Sequence, residues 1–366
     1  MKKLGKNDVL LLVGTSKGAF IFRSDAKRKK WSVDGPLHKG CMCHHFTFDP
    51  RDRETLYAAT YTEWWGGDIQ RSRDGGRTWE KTKDGIRYEE SSGLSVKCMW
   101  HVHPGSANEP NVVYAGVDPA GLFRSEDGGV TWAEVKGLNR HDTRGRWTPG
   151  KGGLILHSIV PNPRDTKKMH VGISAAGVFY TEDGGATWQP RNRGTRADFM
   201  PNKLPDLGQC VHKLLAAADG ARLYQQNHCG VYRSDSSGEN WTDISKGLTS
   251  RFGFCMGTHP RDNDTVWVIP ITGAEFRACP DGKLTVFRSR NAGRTWQRAA
   301  KGLPDRNAHL LVLREAMSVD AADPAGVYFG TSTGQLFHTR NEGNEWRMLA
   351  DFLPPVYSVE AFGPYV

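Results

Sequence analysis

The sequence predicts an all-β fold: a seven-bladed β-propeller of four-stranded antiparallel blades, closed by a C-terminal strand pairing with N-terminal strands. Three observations carry that expectation. A polar turn ending in tryptophan recurs along the chain, short apolar or alternating segments flank each turn, and the first unit lacks a strand that the last residues supply. The turn is clearest at Ser72-x-Asp74-x-Gly76-x-Thr78-Trp79, Ser125-x-Asp127-x-Gly129-x-Thr131-Trp132 and Thr181-x-Asp183-x-Gly185-x-Thr187-Trp188. It decays at residues 234–241, where Ser236 stands at the Asp position, and at 289–296 and 339–346, where Asn291 and Asn341 do. A seventh copy keeps only Ser24 and Trp31. The tryptophans at 31, 79, 132, 188, 241, 296 and 346 recur about every 50 residues, a propeller or array period.

Each unit reads as four strands. In the second they are "HHFTFDP" (44–50), "TLYAATY" (55–61), "DIQRS" (68–72) and "TWEKT" (78–82), with the polar turn joining strands three and four. Gly supplies the positive φ of that turn, Asp and Ser/Thr accept or donate local backbone bonds, and Trp leaves the turn to fill the seam between sheets. Burying it is worth about 2–3 kcal/mol. The turn is therefore structural, and its Asp residues are not expected to be active-site acids. The first unit has only "VLLLVGT", "GAFIF" and "WSV", whereas "PVYSVEAFG" (355–363) looks like an innermost strand with nothing after it. Joining them makes seven blades, a single domain over 1–366, with no free sheet edge in the ring.

The charge is 49 − 40 = +9, a mild bias toward anionic partners. The apolar run at the N-terminus, Val9–Val13, is shorter than an export signal's core, and no stretch approaches a membrane span. Seven cysteines, an odd number, point to free thiols and a cytoplasmic setting.

The repeated Ser/Thr-x-Asp-x-Gly-x-Thr-Trp resembles the Asp-box, or BNR-repeat, family over nearly the whole chain. That family includes sialidases, endo-glucanases that cut xyloglucan, sortilin-type receptors and a photosystem assembly factor. The resemblance implies a sialidase-like, glycosyl hydrolase-like propeller, but the shared motif is the structural one, so function must come from the site. The sialidase pattern of six blades with an early Phe-Arg-Ile-Pro is absent. The xyloglucan enzymes pair two seven-bladed rings, and one ring fits here.

Innermost strands start at the mouth of the central channel, on the face opposite the polar turns. Aligning their starts places His44, Cys98, His157, His212, Phe254, Glu315 and Tyr357 at equivalent positions. His44, His157 and His212 are the expected ligands of a divalent metal, Zn²⁺ or Mn²⁺; hydrogen bonding to backbone or water is the structural alternative. Glu315 and Tyr357 are the expected catalytic acid, base or nucleophile. Long basic loops reach the same face and offer Arg144, Arg146, Trp147 and Arg196, joined by Lys97, Arg251 and Glu63, for ligand binding. No phosphate loop, dinucleotide fingerprint, His-Glu-x-x-His or Gly-x-Ser-x-Gly is present. Two functions remain open. One is a hydrolase or lyase acting on a small anionic ligand, such as a sugar acid, with possible metal assistance. The other is a non-catalytic propeller docking an acidic protein segment. Nucleic acid is a weaker partner, because the basic residues cluster in loops rather than alternating with aromatics along a groove.

Overall fold

A computed structural model describes residues 5–364, whose strands form seven antiparallel sheets around one axis. Residues 1–4 and 365–366 of the expected domain lie outside the described residues. Blade one contains Val356–Phe362, Asp8–Thr15, Gly18–Asp25 and Ser32–Leu37, in that order from the axis outward. Blade two contains Met42–Phe48, Leu56–Thr62 and Gly66–Ser72, its fourth strand reduced to a bridge between Arg71 and Glu80. The innermost strands of blades three to seven are Cys98–Pro104, Leu156–Pro161, Val211–Ala216, Gly253–Thr258 and Met317–Val319. Each of those blades has four strands, and each innermost strand packs on the next. Among the described residues, no helix is long and apolar enough to cross a membrane.

Ring closure follows the sequence expectation. Val356–Phe362 pairs antiparallel with Asp8–Thr15, setting Phe362 opposite Leu10 and Ser358 opposite Gly14. Gly14 is required by close approach: a Cβ there would stand 2.4 Å from the Cys43 carbonyl oxygen and 2.5 Å from Ser358 Oγ.

The polar turns show why the motif repeats. In the third complete copy, Asp183 Oδ1 accepts the Thr187 N–H at 2.9 Å and Oδ2 accepts its hydroxyl at 2.6 Å. The Thr181 hydroxyl donates to Asp183 Oδ1 at 2.8 Å and accepts the Gly185 N–H at 3.0 Å. In this copy the Trp188 indole N–H closes on the Gly185 carbonyl at 3.1 Å. Decayed copies keep the frame with weaker acceptors: Asn291 Oδ1 takes the Thr295 N–H and Ser236 Oγ the Asn240 N–H. Their indoles reach instead across the seam, from Trp241 to the Arg191 carbonyl, Trp296 to Ile244 and Trp346 to Ala299. In these copies the indole gives up its bond within the turn for a tie between blades.

These turns carry a pH signature. Hydrogen bonds from the Thr187 hydroxyl and N–H hold the Asp183 carboxyl at about 2. Its folded value lies below the unfolded one, about 3.9, so its stabilisation is complete above that value and lost as pH falls through about 2. Asp183→Asn is expected to reduce the loss of stability between about pH 4 and 2. Denaturant midpoints read by tryptophan fluorescence at each pH check this, and an unchanged acid limb would refute it.

Candidate functional site at the channel mouth

Most innermost strands carry a β-bulge near their start. The ladder jumps between Cys43 and His45, Met99 and His101, Leu156 and Ser158, and Val211 and Lys213. It also shifts between Gly253 and Met256, and opposite the Gly14–Thr15 step. The residues left over are His44, Trp100, His157, His212 and Tyr357, with Phe254 at the corresponding place in blade six. Bulges re-aim side chains, and a ring of them turns one residue per blade toward the mouth. His44 is stacked between Trp100 and Tyr357, at centroid distances of 4.6 and 5.2 Å. His212 lies 4.6 Å from Phe254.

Two sequence-derived positions shift. Trp100, not Cys98, occupies the bulge of blade three. Blade seven has no bulge in its ladder: the Ala316 N–H turns back to the Leu313 carbonyl, and Arg314 rather than Glu315 enters this layer. The Arg314 guanidinium lies 5.7 Å from the Trp100 ring centroid and 5.8 Å from that of Phe254. Glu315 sits deeper, 1% exposed, with Lys213 Nζ at 2.5 Å and His101 Nδ1 at 3.5 Å from its Oε2. It faces an internal ion pair rather than the mouth.

The structure does not gather His44, His157 and His212 into one ligand set. His157 Nε2 lies 2.9 Å from the Val211 carbonyl, and His212 Nδ1 donates to the Gly253 carbonyl at 2.6 Å. Both bonds tie one blade to the next. Burial lowers His44 to about 4 and holds His157 and His212 well below the usual histidine range, so all three are neutral.

A cavity of about 210 Å³ opens beside this ring, lined by Arg314, Arg277, Lys151, His228, Cys210 and Phe199 among others. Arg314 Nη1 donates to Ser174 Oγ at 2.8 Å, and Arg277 Nε to the Ala274 carbonyl at 3.1 Å. Arg277 also lies over Phe254, 5.3 Å from its centroid. No carboxylate lines the cavity among the described residues. Asp118 stands just behind it, since a Cβ on Gly153 would lie 3.3 Å from Asp118 Oδ2. Burial pushes the Asp118 carboxyl up, against the opposing pull of Lys97.

The remaining expected ligand-binding residues divide. Trp147 is 6% exposed, packed in a blade core with its indole N–H on Thr143 Oγ1. Arg144 lies over the Trp147 and Tyr88 rings and donates to the Ala120 carbonyl. Arg196 pairs with Asp198, and Arg251 with Asp243. Arg146 is exposed and lines an adjoining groove with Phe199. Lys97 and Glu63 are exposed, and beside Glu63 the turn presents Trp64 and Trp65 at 88% and 90% exposure. Arg314, Trp100 and Asp118 were not singled out from sequence. They stand in strands or short turns without a motif.

The fold is that of a seven-bladed β-propeller, and its sequence is similar to that of curated xyloglucanases. The chain is 27% identical over 281 residues to the xyloglucanase Xgh74A of Acetivibrio thermocellus, covering 68% of this chain and 31% of that protein. It is 28% identical over 273 residues to a xyloglucanase of Hypocrea jecorina, covering 68% and 31%. The chain thus spans about a third of the length of the curated relatives it matches. Among solved structures it resembles the GH74 xyloglucanase of Xanthomonas campestris, with a TM-score of 0.64 and 18% identity, covering 97% of this chain and 52% of that one. It also resembles the periplasmic gluconolactonase PpgL of Pseudomonas aeruginosa, with a TM-score of 0.59 and 15% identity, covering 97% and 99%. These structural likenesses concern the fold. No family model matches the chain.

Proposed function

We propose that the protein binds an acidic carbohydrate at the channel mouth. Arg314 and Arg277 hold the sugar's carboxylate, and Trp64 and Trp65 stack on further sugar rings. One observation carries this reading: two guanidinium groups lie over aromatic faces in a cavity with no carboxylate lining it. Partly buried cations without a carboxylate beside them in the cavity favour an anionic ligand, and guanidinium matches carboxylate geometry with paired hydrogen bonds. Apolar ring faces beside them suit a sugar ring. Similarity to xyloglucanases supports a carbohydrate over other anions. Hydrolysis ordinarily uses two carboxyl groups flanking the bond. Asp118 is a carboxyl set directly behind the Gly153 side of this cavity, and its raised affinity for a proton suits an acid.

Calorimetric titration with a uronate oligosaccharide, against a neutral xyloglucan oligosaccharide as control, tests the proposal. Binding of the uronate is expected, weakened about 10–100-fold in Arg314→Ala, the loss of one charge-assisted hydrogen-bonding group. Equal affinity for both sugars, or uronate binding indifferent to Arg314→Ala, would overturn it. An acidic peptide that binds more tightly and displaces the uronate would favour a docking role.

A further inference from the structure

We propose that Cys210, His212 and His228 form a transition-metal site, of the Zn²⁺ class, in the wall of the mouth cavity. The site goes beyond the sugar-acid reading and does not rest on it. The Cys210 sulfur and one ring nitrogen from each of the two histidines lie within 4.8 Å of one another, and all three residues line the same cavity. One thiolate and two imidazoles are a donor set that Zn²⁺ takes, and three protein ligands facing open space leave a further position for water or ligand.

A second, independent feature points the same way. His212 spends its Nδ1–H on the Gly253 carbonyl at 2.6 Å. That bond fixes the tautomer and leaves the Nε2 lone pair free, the arrangement that ligating histidines adopt. His228 is held at its edge by Phe199 and Phe252, with centroids 5.0 and 4.9 Å away, which orients its ring without occupying its nitrogens. It lies 5.6 Å from His212. Arg277 and Arg314 bring positive charge to the cavity, which a metal-bound Cys210 thiolate would offset in part. The anion drawn in by the two arginines would arrive beside the metal's open position. His212 is therefore a ligand in a set different from the one expected from strand alignment: it is joined by a neighbour on its own strand entry and by the adjoining strand turn, not by histidines of distant blades.

Cobalt titration of chelator-treated protein tests the site. Co²⁺ reports a thiolate ligand through its charge-transfer band and four-coordinate geometry through its visible spectrum, and Zn²⁺ should displace it. Stoichiometric uptake is expected. Cys210→Ser should abolish the charge-transfer band, whereas Cys229→Ser should keep it. His228→Ala, on a partly exposed turn, should weaken uptake by more than the about 10–100-fold that loss of an outer-shell partner costs. No uptake by the unaltered protein, or a band that survives Cys210→Ser, would overturn the proposal. The metal reading stands on cobalt alone and the sugar reading on Arg314→Ala, so failure of one is distinguishable from failure of the other.

Discussion

Glu315→Gln is expected to destabilise the ring by about 3–5 kcal/mol, because it strands a buried ammonium. Glu315 Oε2 and Lys213 Nζ are 2.5 Å apart, and both side chains are almost wholly enclosed. Glu315 Oε1 and His101 Nδ1 lack hydrogen-bond partners, so a glutamine would keep an acceptor oxygen for Lys213 but remove the charge that balances it. Burial alone would raise the Glu315 carboxyl, but Lys213 beside it, with His101, holds it well below the usual range. Its stabilisation is therefore complete above the unfolded glutamate value of about 4.3 and is lost as pH falls further below it. Urea denaturation should show a lower midpoint for Glu315→Gln with an unchanged slope. The paired change Lys213→Met with Glu315→Leu should recover most of the loss, since it removes both charges together. If the double variant is no more stable than the single one, packing rather than charge is responsible.

Asp320→Ala should cost a similar about 3–5 kcal/mol, by a different route. Asp320 is fully buried and ties the last blade to the first: Arg28 Nη1 lies 3.1 Å from its Oδ2. Arg28 sits between Gly18–Asp25 and Ser32–Leu37 of the closing blade, whereas Asp320 follows the innermost strand of blade seven. The same carboxylate accepts the Ala322 and Gly326 N–H groups on Oδ1 and the Tyr328 hydroxyl on Oδ2. Removing it leaves Arg28 without its counter-charge and three donors without their acceptor. Arg28→Met combined with Asp320→Ala should cost less than the sum of the two single changes, because they share one interaction. Chemical denaturation of the four proteins measures the coupling, and strict additivity would show that the seam does not depend on this pair.

The ring was legible because its signal is repeated. Each Asp, Asn or Ser at the turn position lies a fixed distance from Trp, so decayed copies such as Asn341–Trp346 could be phased from complete ones. The same phasing placed His44, His157, His212, Phe254 and Tyr357 in one layer, where the structure has them. It failed at Trp100, because "CMWHVH" offers apolar residues at several registers and nothing local marks which one the bulge extrudes. It failed at Arg314 because blade seven replaces the bulge with a tight turn, which moves the neighbouring Glu315 inward. Trp147 was legible as aromatic and loop-borne, but not as buried. Its burial depends on Phe179 and Leu138, which meet it only once the blade is packed. The Cys210–His212–His228 cluster was out of reach for a similar reason: His228 arrives on the next hairpin turn, and its approach is set by tertiary packing.

The pairing of Val356–Phe362 with Asp8–Thr15 also imposes an order of events. Of the strands in blade one, the innermost is the last to be synthesised. Until it emerges, Asp8–Thr15 presents an unpaired, strongly apolar edge, and the circle stays open while the other six blades are made. An arrest before Val356–Phe362 is made would leave the ring open and sticky, a hazard that a chain closing its sheet early would avoid.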